Sequence, residues 1–215
     1  MKYLIAPDYV HHLYISEWSR AYPNAQCIGV EGLPAKRKDV HWSGLYGVDE
    51  ERTTSYGFED EIQARYWPTF SNKDLTLNHR ASGTLIVADL LFNLPPHEQY
   101  SATKAGKATS PVPFLTAFMK YLAPATAFHK WFLGTAGGMN PIPKACQEVD
   151  KTLQKEGGTS HERKERFAKD AETVAKWEFN RIIPCHGDVV EGANVRQLWI
   201  DTFAKVSRGL RKRGK

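Results

Sequence analysis

The sequence predicts a layered α/β fold with a mixed sheet and outer helices, on three observations. Within the first 30 residues an apolar run, a polar turn, a helically patterned segment and a second apolar run follow in order, which pairs two strands in parallel around a helix. Three short strand-like runs then follow closely between residues 61 and 88, the pattern of an antiparallel meander. Two helical patterns flank one more strand near the C-terminus, and they supply an outer cover.

Taken in order, Lys2 to Ala6 reads as a buried strand stopped by Pro7-Asp8, and His11 to Tyr22 places Leu13, Ile15, Trp18 and Tyr22 at helical spacing. Pro23-Asn24 ends that helix, and Gln26 to Val30 is the next strand. Gly32 to Gly57 reads as a short helix and a long loop. Glu61 to Tyr66, Leu75 to His79 and Thr84 to Ala88 are the meander, its last two strands joined by a tight turn at Arg80-Ala81-Ser82-Gly83. Residues 101–113 are small, polar and Pro-containing, a mobile loop. An aromatic helical insert follows at 114–133, and it reads as core cover. Gly134 to Pro143 is a connection, and Gly157-Gly158 separates two charged helices, the second from about His161 to Trp177. Phe179 to Pro184 is a strand leading into Cys185-His186-Gly187-Asp188. The closing helix carries Val195, Leu198, Trp199, Phe203, Val206 and Leu210 on one stripe.

At 215 residues, with 41% hydrophobic and 25% charged residues, one domain over 1–215 is expected. No run approaches the roughly 18 apolar residues of a membrane span, and the start lacks signal-peptide anatomy. Three widely spaced cysteines, Cys27, Cys146 and Cys185, argue against a disulfide framework and fit a reducing, cytoplasmic compartment. Much of the net charge of +5 sits in the basic tail at 208–215, which reads as a solvated helix end rather than a nucleic-acid contact.

Three places put metal-binding groups just past a strand end: Asp8 to His12, His79 with Asp89, and His186-Gly187-Asp188. Imidazole and carboxylate converging from separate strand ends is what a zinc, manganese or iron site requires. The stretches APDYVHHLYISEW, YGFEDEI, TLIVADLLFNLP and IIPCHGDVVE resemble an uncharacterised branch of the metallo-β-lactamase-like superfamily over nearly the whole chain. That resemblance implies an αββα sandwich. It also implies a metal motif Thr-His-x-His-x-Asp-His over Ala6 to His12, with later ligands at His79, Asp89 and His186. Pro7 and Tyr9 stand where two histidines belong, so the first metal position is lost. The second retains His12, Asp89 and His186, with His11 in the place of an aspartate.

The ligand set implied is therefore His12, Asp89 and His186, with His11 and His79 as further candidates, and with Asp89 and His186 as the catalytic residues. Each has a plainer reading: His12 bonding backbone at a helix entry, Asp89 bracing its turn, His186 buried in a turn, and His79 a hydrogen-bonded remnant. Asp188 orients an imidazole or caps the last helix. Cys185 as a nucleophile is disfavoured, because strand neighbours point to opposite sides and no third group orients it. The resemblance begins at an internal strand, so a truncated sheet with a bare edge is expected, and with it a homodimer through that edge. The cofactor is one zinc, manganese or iron ion, or none. Three functions remain open: a mononuclear metal-dependent hydrolase of an ester, thioester or lactone acting on an unknown small-molecule substrate; a non-catalytic relic acting as a binding protein; and an RNA-associated protein.

Overall fold

The structure, a computed structural model, describes residues 1–48, 55–98, 101–103, 121–136 and 159–213. Strands β1 (Tyr3–Ile5), β2 (Gln26–Val30) and β3 (Trp42–Tyr46) form a parallel sheet in that order. Helix α1 (Ile15–Ala21) links the first pair and α2 (Leu33–Lys36) the second. A second sheet runs β4 (Ile62–Tyr66), β5 (Leu75–His79), β6 (Thr84–Val87), β7 (Arg181–Pro184) and β8 (Val190–Glu191). Its pairings are antiparallel except between β6 and β7, which are parallel. Outside it lie α3 (Ala127–Ala136), α4 (Ser160–Val174), α5 (Val195–Phe203) and α6 (Arg208–Arg213).

Side-chain alternation explains the layering. In β5, Leu75 and Leu77 point toward the first sheet and pack with Ala6, Ile28, Val30 and Tyr46. In β6, Leu85 and Val87 point the other way, into a core with Phe167, Ala171, Trp199 and Phe203 from the helices. Leu4, Ile15, Cys27 and Val40 make a third cluster beneath α1. The order is thus helix, sheet, sheet, helix, as the expected sandwich requires. The helix-side core is aromatic: Trp199 stacks on Phe203 with centroids 4.3 Å apart, and both touch the ring of Trp67. Burying each such ring stabilises the fold by about 2–3 kcal/mol.

Several boundaries differ from the sequence reading. Strand β3 was hidden in the segment read as a loop, because Gly44 lies mid-strand; the ring of Tyr56 occupies the space a side chain there would need, and an inserted Gly weakens the strand signal. Helix α1 starts at Ile15 rather than His11, since Asp8 Oδ1 accepts the backbone N–H of Val10 and His11 and holds that stretch as a turn. The closing helix is two, broken before Arg208, where the Ser207 hydroxyl accepts the N–H of Leu210. Helix α4 ends at Val174, and its start at Thr159 is a reciprocal cap with Glu162. Helix α3 carries on through Gly134, and its Leu133 is fully buried in the helix-side core. The rest of the loop at 101–113 beyond residue 103, the insert before residue 121, the connection after residue 136 and the first charged helix lie outside the described residues. No described helix is long and apolar enough to cross a membrane.

Candidate metal centre

β6 and β7 run side by side in parallel, so their C-terminal ends open at one rim of the second sheet. Asp89 follows β6 by two residues, and Cys185 and His186 follow β7 directly. A backbone bond from Cys185 N–H to Val87 C=O at 3.1 Å keeps the ends together. Gly187, at φ +101°, then turns the chain against Asn93, whose carbonyl leaves no space for a side chain at 187; only Gly meets both conditions. From the first sheet, the turn after β1 reaches the same rim: Leu75 N–H donates to Pro7 C=O at 2.7 Å, and Tyr9 N–H to Asn72 C=O at 2.8 Å.

There, one atom from each of His11, Asp89, Cys185 and His186 lies within 4.8 Å of all the others. His11 Nε2 is 3.2 Å from His186 Nε2 and 3.9 Å from Asp89 Oδ1. Asp89 Oδ1 is also 3.3 Å from His186 Nε2 and 3.4 Å from Cys185 Sγ. Ligands bound tetrahedrally at zinc's usual 2.0–2.3 Å stand about 3.3–3.8 Å apart, so these spacings suit one ion at their centre. Two imidazole nitrogens this close also repel through their lone pairs unless a proton or a cation lies between them. The two nitrogens, the thiol and the carboxylate are a donor set that suits zinc.

His11 is aimed by Asp8. Its Nδ1–H donates to the buried Asp8 Oδ2 at 2.6 Å, which leaves the Nε2 lone pair facing the cluster. That hydrogen bond, opposed by burial, raises the His11 pKa above its ordinary value. Burial would push Asp89 upward, yet the hydrogen bond to His186 and the charges of His11 and His186 outweigh it and hold the carboxyl below the usual range. Asp89 Oδ2 also accepts from Asn72 Nδ2. Asp74 is buried completely, and burial with the charges of Asp8 and Asp89 pushes it well up. Its Oδ2 accepts the Asp89 N–H at 2.7 Å and fixes that turn. Its Oδ1 has no hydrogen-bond partner among the described residues. Burial, then the Asp89 charge, pushes the Cys185 thiol up; a bound cation reverses that preference, because a thiol ligates as thiolate. The buried carboxylates of Asp8 and Asp89, one behind His11 and one in the cluster, bring negative charge that a cation balances.

The structure thus brings together His11, Asp89 and His186 among the expected ligands and leaves out two. His12 lies outside the group: its carbonyl accepts from Arg37 Nη1 at 3.0 Å, and burial with Lys36 and Arg37 lowers its pKa. His79 bonds Ser82 Oγ at 2.7 Å and pairs with Thr84 at the start of β6. Because β5 and β6 are antiparallel, it sits at the opposite end of the sheet, about 13 Å down the strand from the rim. Asp188 accepts the backbone N–H of His97 at 2.6 Å and of Glu98 at 2.9 Å, so it braces that turn instead of capping the last helix. Cys185 joins the group because β7 has already ended, and strand alternation no longer separates it from His186. Asp8 was not foreseen as the orienting carboxylate; the signal was its spacing of three residues from His11. Phe92 lies parallel to the His186 ring at 5.2 Å and backs it.

No family model and no curated protein matches the chain. Several solved structures are similar in fold, two of them metallo-β-lactamases. One is a metallo-β-lactamase from Hirschia baltica, at 8% identity and a TM-score of 0.41, covering 96% of this chain and 68% of that one. The other is a metallo-β-lactamase from Pontibacter korlensis, at 11% identity and a TM-score of 0.43, covering 96% and 69%. The likeness is one of fold.

Proposed function

We propose that the chain binds one zinc ion among His11, Asp89, His186 and Cys185, with three of them ligating it and the fourth position left to water, and hydrolyses an ester, thioester or lactone there. The observation that carries this reading is the convergence of four donor atoms within 4.8 Å, with His11 already aimed by Asp8. When bound, such an ion acidifies water toward a pKa of about 7 and polarises a carbonyl. The residues supply the rest. His11 and His186 side chains stay 32% and 42% exposed, so a substrate can reach the rim. Asp89, held ionised, accepts a hydrogen bond from the attacking water. The water oxygen bonds to the acyl carbon, the bond from that carbon to the leaving alcohol or thiol breaks, and the water proton ends on the leaving group.

A second reading is favoured by the number of donors. Four protein ligands fill a tetrahedron, and closed sites hold an ion structurally. On that reading the chain is a metal-stabilised binding protein. The discriminating experiment is turnover of p-nitrophenyl acetate, an acyl thioester and a simple lactone by zinc-loaded and chelated protein. The hydrolytic reading predicts a difference of about a hundredfold or more on at least one substrate. A stoichiometric ion without turnover on any of them leaves the second reading.

A further inference from the structure

Beside the centre, along the edge of β1 that β2 leaves open, lies a trough of about 510 Å³, within the range of small-molecule sites. Ile5, Val10, Leu13, Tyr14, Ile15 and Trp18 line it with Met1, His11 and His12, and no Asp, Glu, Lys or Arg is among the described lining residues. Leu13 and Tyr14 are each 70% exposed and Trp18 49%, an apolar patch of the kind that marks a binding surface. His11 is part of both the trough and the donor cluster, so the two meet at that residue. A second apolar surface leads to the same rim: Ile86 and Ile183 pair across β6 and β7 and are each 38% exposed. They stand three residues before Asp89 and His186, about 10 Å along the strands.

Size selects the occupant. At about 200 Å² per large side chain, Val10, Leu13, Tyr14 and Trp18 expose on the order of 450 Å². That is roughly half of what one partner gives to a standard protein interface. Apart from Met1, His11 and His12 the lining is apolar, so a ligand lying along Leu13, Tyr14 and Trp18 meets no group there that offsets the desolvation of a charge.

On the hydrolytic reading above, we infer that the substrate carries an uncharged, apolar acyl chain that lies in this trough with its carbonyl at the His11 end. Each methylene buried contributes about 0.8 kcal/mol, or about fourfold. The kcat/KM of zinc-loaded protein therefore rises at least about tenfold from p-nitrophenyl acetate to p-nitrophenyl hexanoate, and Leu13→Asp and Trp18→Ala each flatten the series. A readout independent of turnover is saturation-transfer NMR of hexanamide against metal-free protein, with signal at the terminal methyl that Leu13→Asp removes. Measurable hydrolysis with a flat acetate-to-hexanoate profile overturns the inference and leaves the hydrolytic reading standing. A steep profile that both variants preserve also overturns it. No hydrolysis, with saturation transfer that Leu13→Asp abolishes, supports the trough's ligand class and removes the hydrolytic reading. No hydrolysis and no transfer overturns both.

Discussion

Replacing Asp8 by Asn keeps the shape of the turn and changes one hydrogen. Asp8 is fully buried; its Oδ1 accepts Val10 N–H at 2.8 Å and His11 N–H at 2.6 Å, and its Oδ2 accepts His11 Nδ1–H at 2.6 Å. In Asp8→Asn the amide oxygen keeps the two backbone bonds, so the amide NH₂ faces His11 Nδ1. That nitrogen must then accept, the ring hydrogen moves to Nε2, and the lone pair aimed at the cluster is lost. Loss of such an orienting carboxylate lowers metal affinity by about 10–100-fold, or about 1.4–2.8 kcal/mol. The weaker neutral hydrogen bond costs fold stability a further ~1 kcal/mol. Competition with a chromogenic zinc indicator at pH 7.5 measures the first quantity and urea unfolding of the metal-free protein the second. Zinc affinity within twofold of the parent, with stability lowered as expected, would show that Asp8 supports the turn and does not aim His11.

Other predictions follow from neighbouring groups. The His11 pKa is raised in the fold, so the Asp8–His11 pair stabilises metal-free protein fully below about pH 6.5 and loses that contribution as pH rises through the raised value; urea titrations from pH 6 to 9 should show this decline in the parent and not in Asp8→Asn. Zinc affinity should rise over the same window as the proton leaves His11. His129 is fully buried, neither ring nitrogen has a good hydrogen bond among the described residues, and burial lowers its pKa to about 4. Its folded value lies below the unfolded one, so stability present above about pH 6.5 falls, by up to about 3 kcal/mol, as pH drops toward 4. His129→Phe should remove that part of the acid sensitivity; identical pH–stability curves for the two proteins would contradict the assignment. Gly187→Ala drives a methyl into the Asn93 carbonyl at a positive φ. It should lower Tm by at least about 4 °C and zinc affinity at least tenfold, and unchanged values would show that the turn does not set the position of His186.

Much of the scaffold was legible because its signals are local. β2 and β5 were read with the boundaries the structure has, since apolar runs bounded by turn residues define short strands. β3 was not, because Gly44 and scattered aromatics mask its pattern. Of the site, Asp89 and His186 were legible from their place after strand ends. The choice of His12 over His11 followed the register of a motif whose two leading histidines are gone. What decides between the adjacent rings is the Asp8 side chain, which folds a turn over residues 8–11 and takes His11 Nδ1. His79 also follows a strand end, but the antiparallel pairing of β5 with β6 already implied the wrong rim. Cys185 was set aside by extending strand alternation one residue past Pro184, where the strand stops.

Metal content after single substitutions tests the centre most directly. Protein purified with zinc, along with His11→Ala, His12→Ala and His186→Ala, should be weighed by elemental analysis after exhaustive dialysis. One ion per chain is expected in the parent and in His12→Ala, and well under half an ion in the other two. An ion retained in His11→Ala but lost in His12→Ala, or no ion in the parent, would contradict a centre built on His11, Asp89, Cys185 and His186.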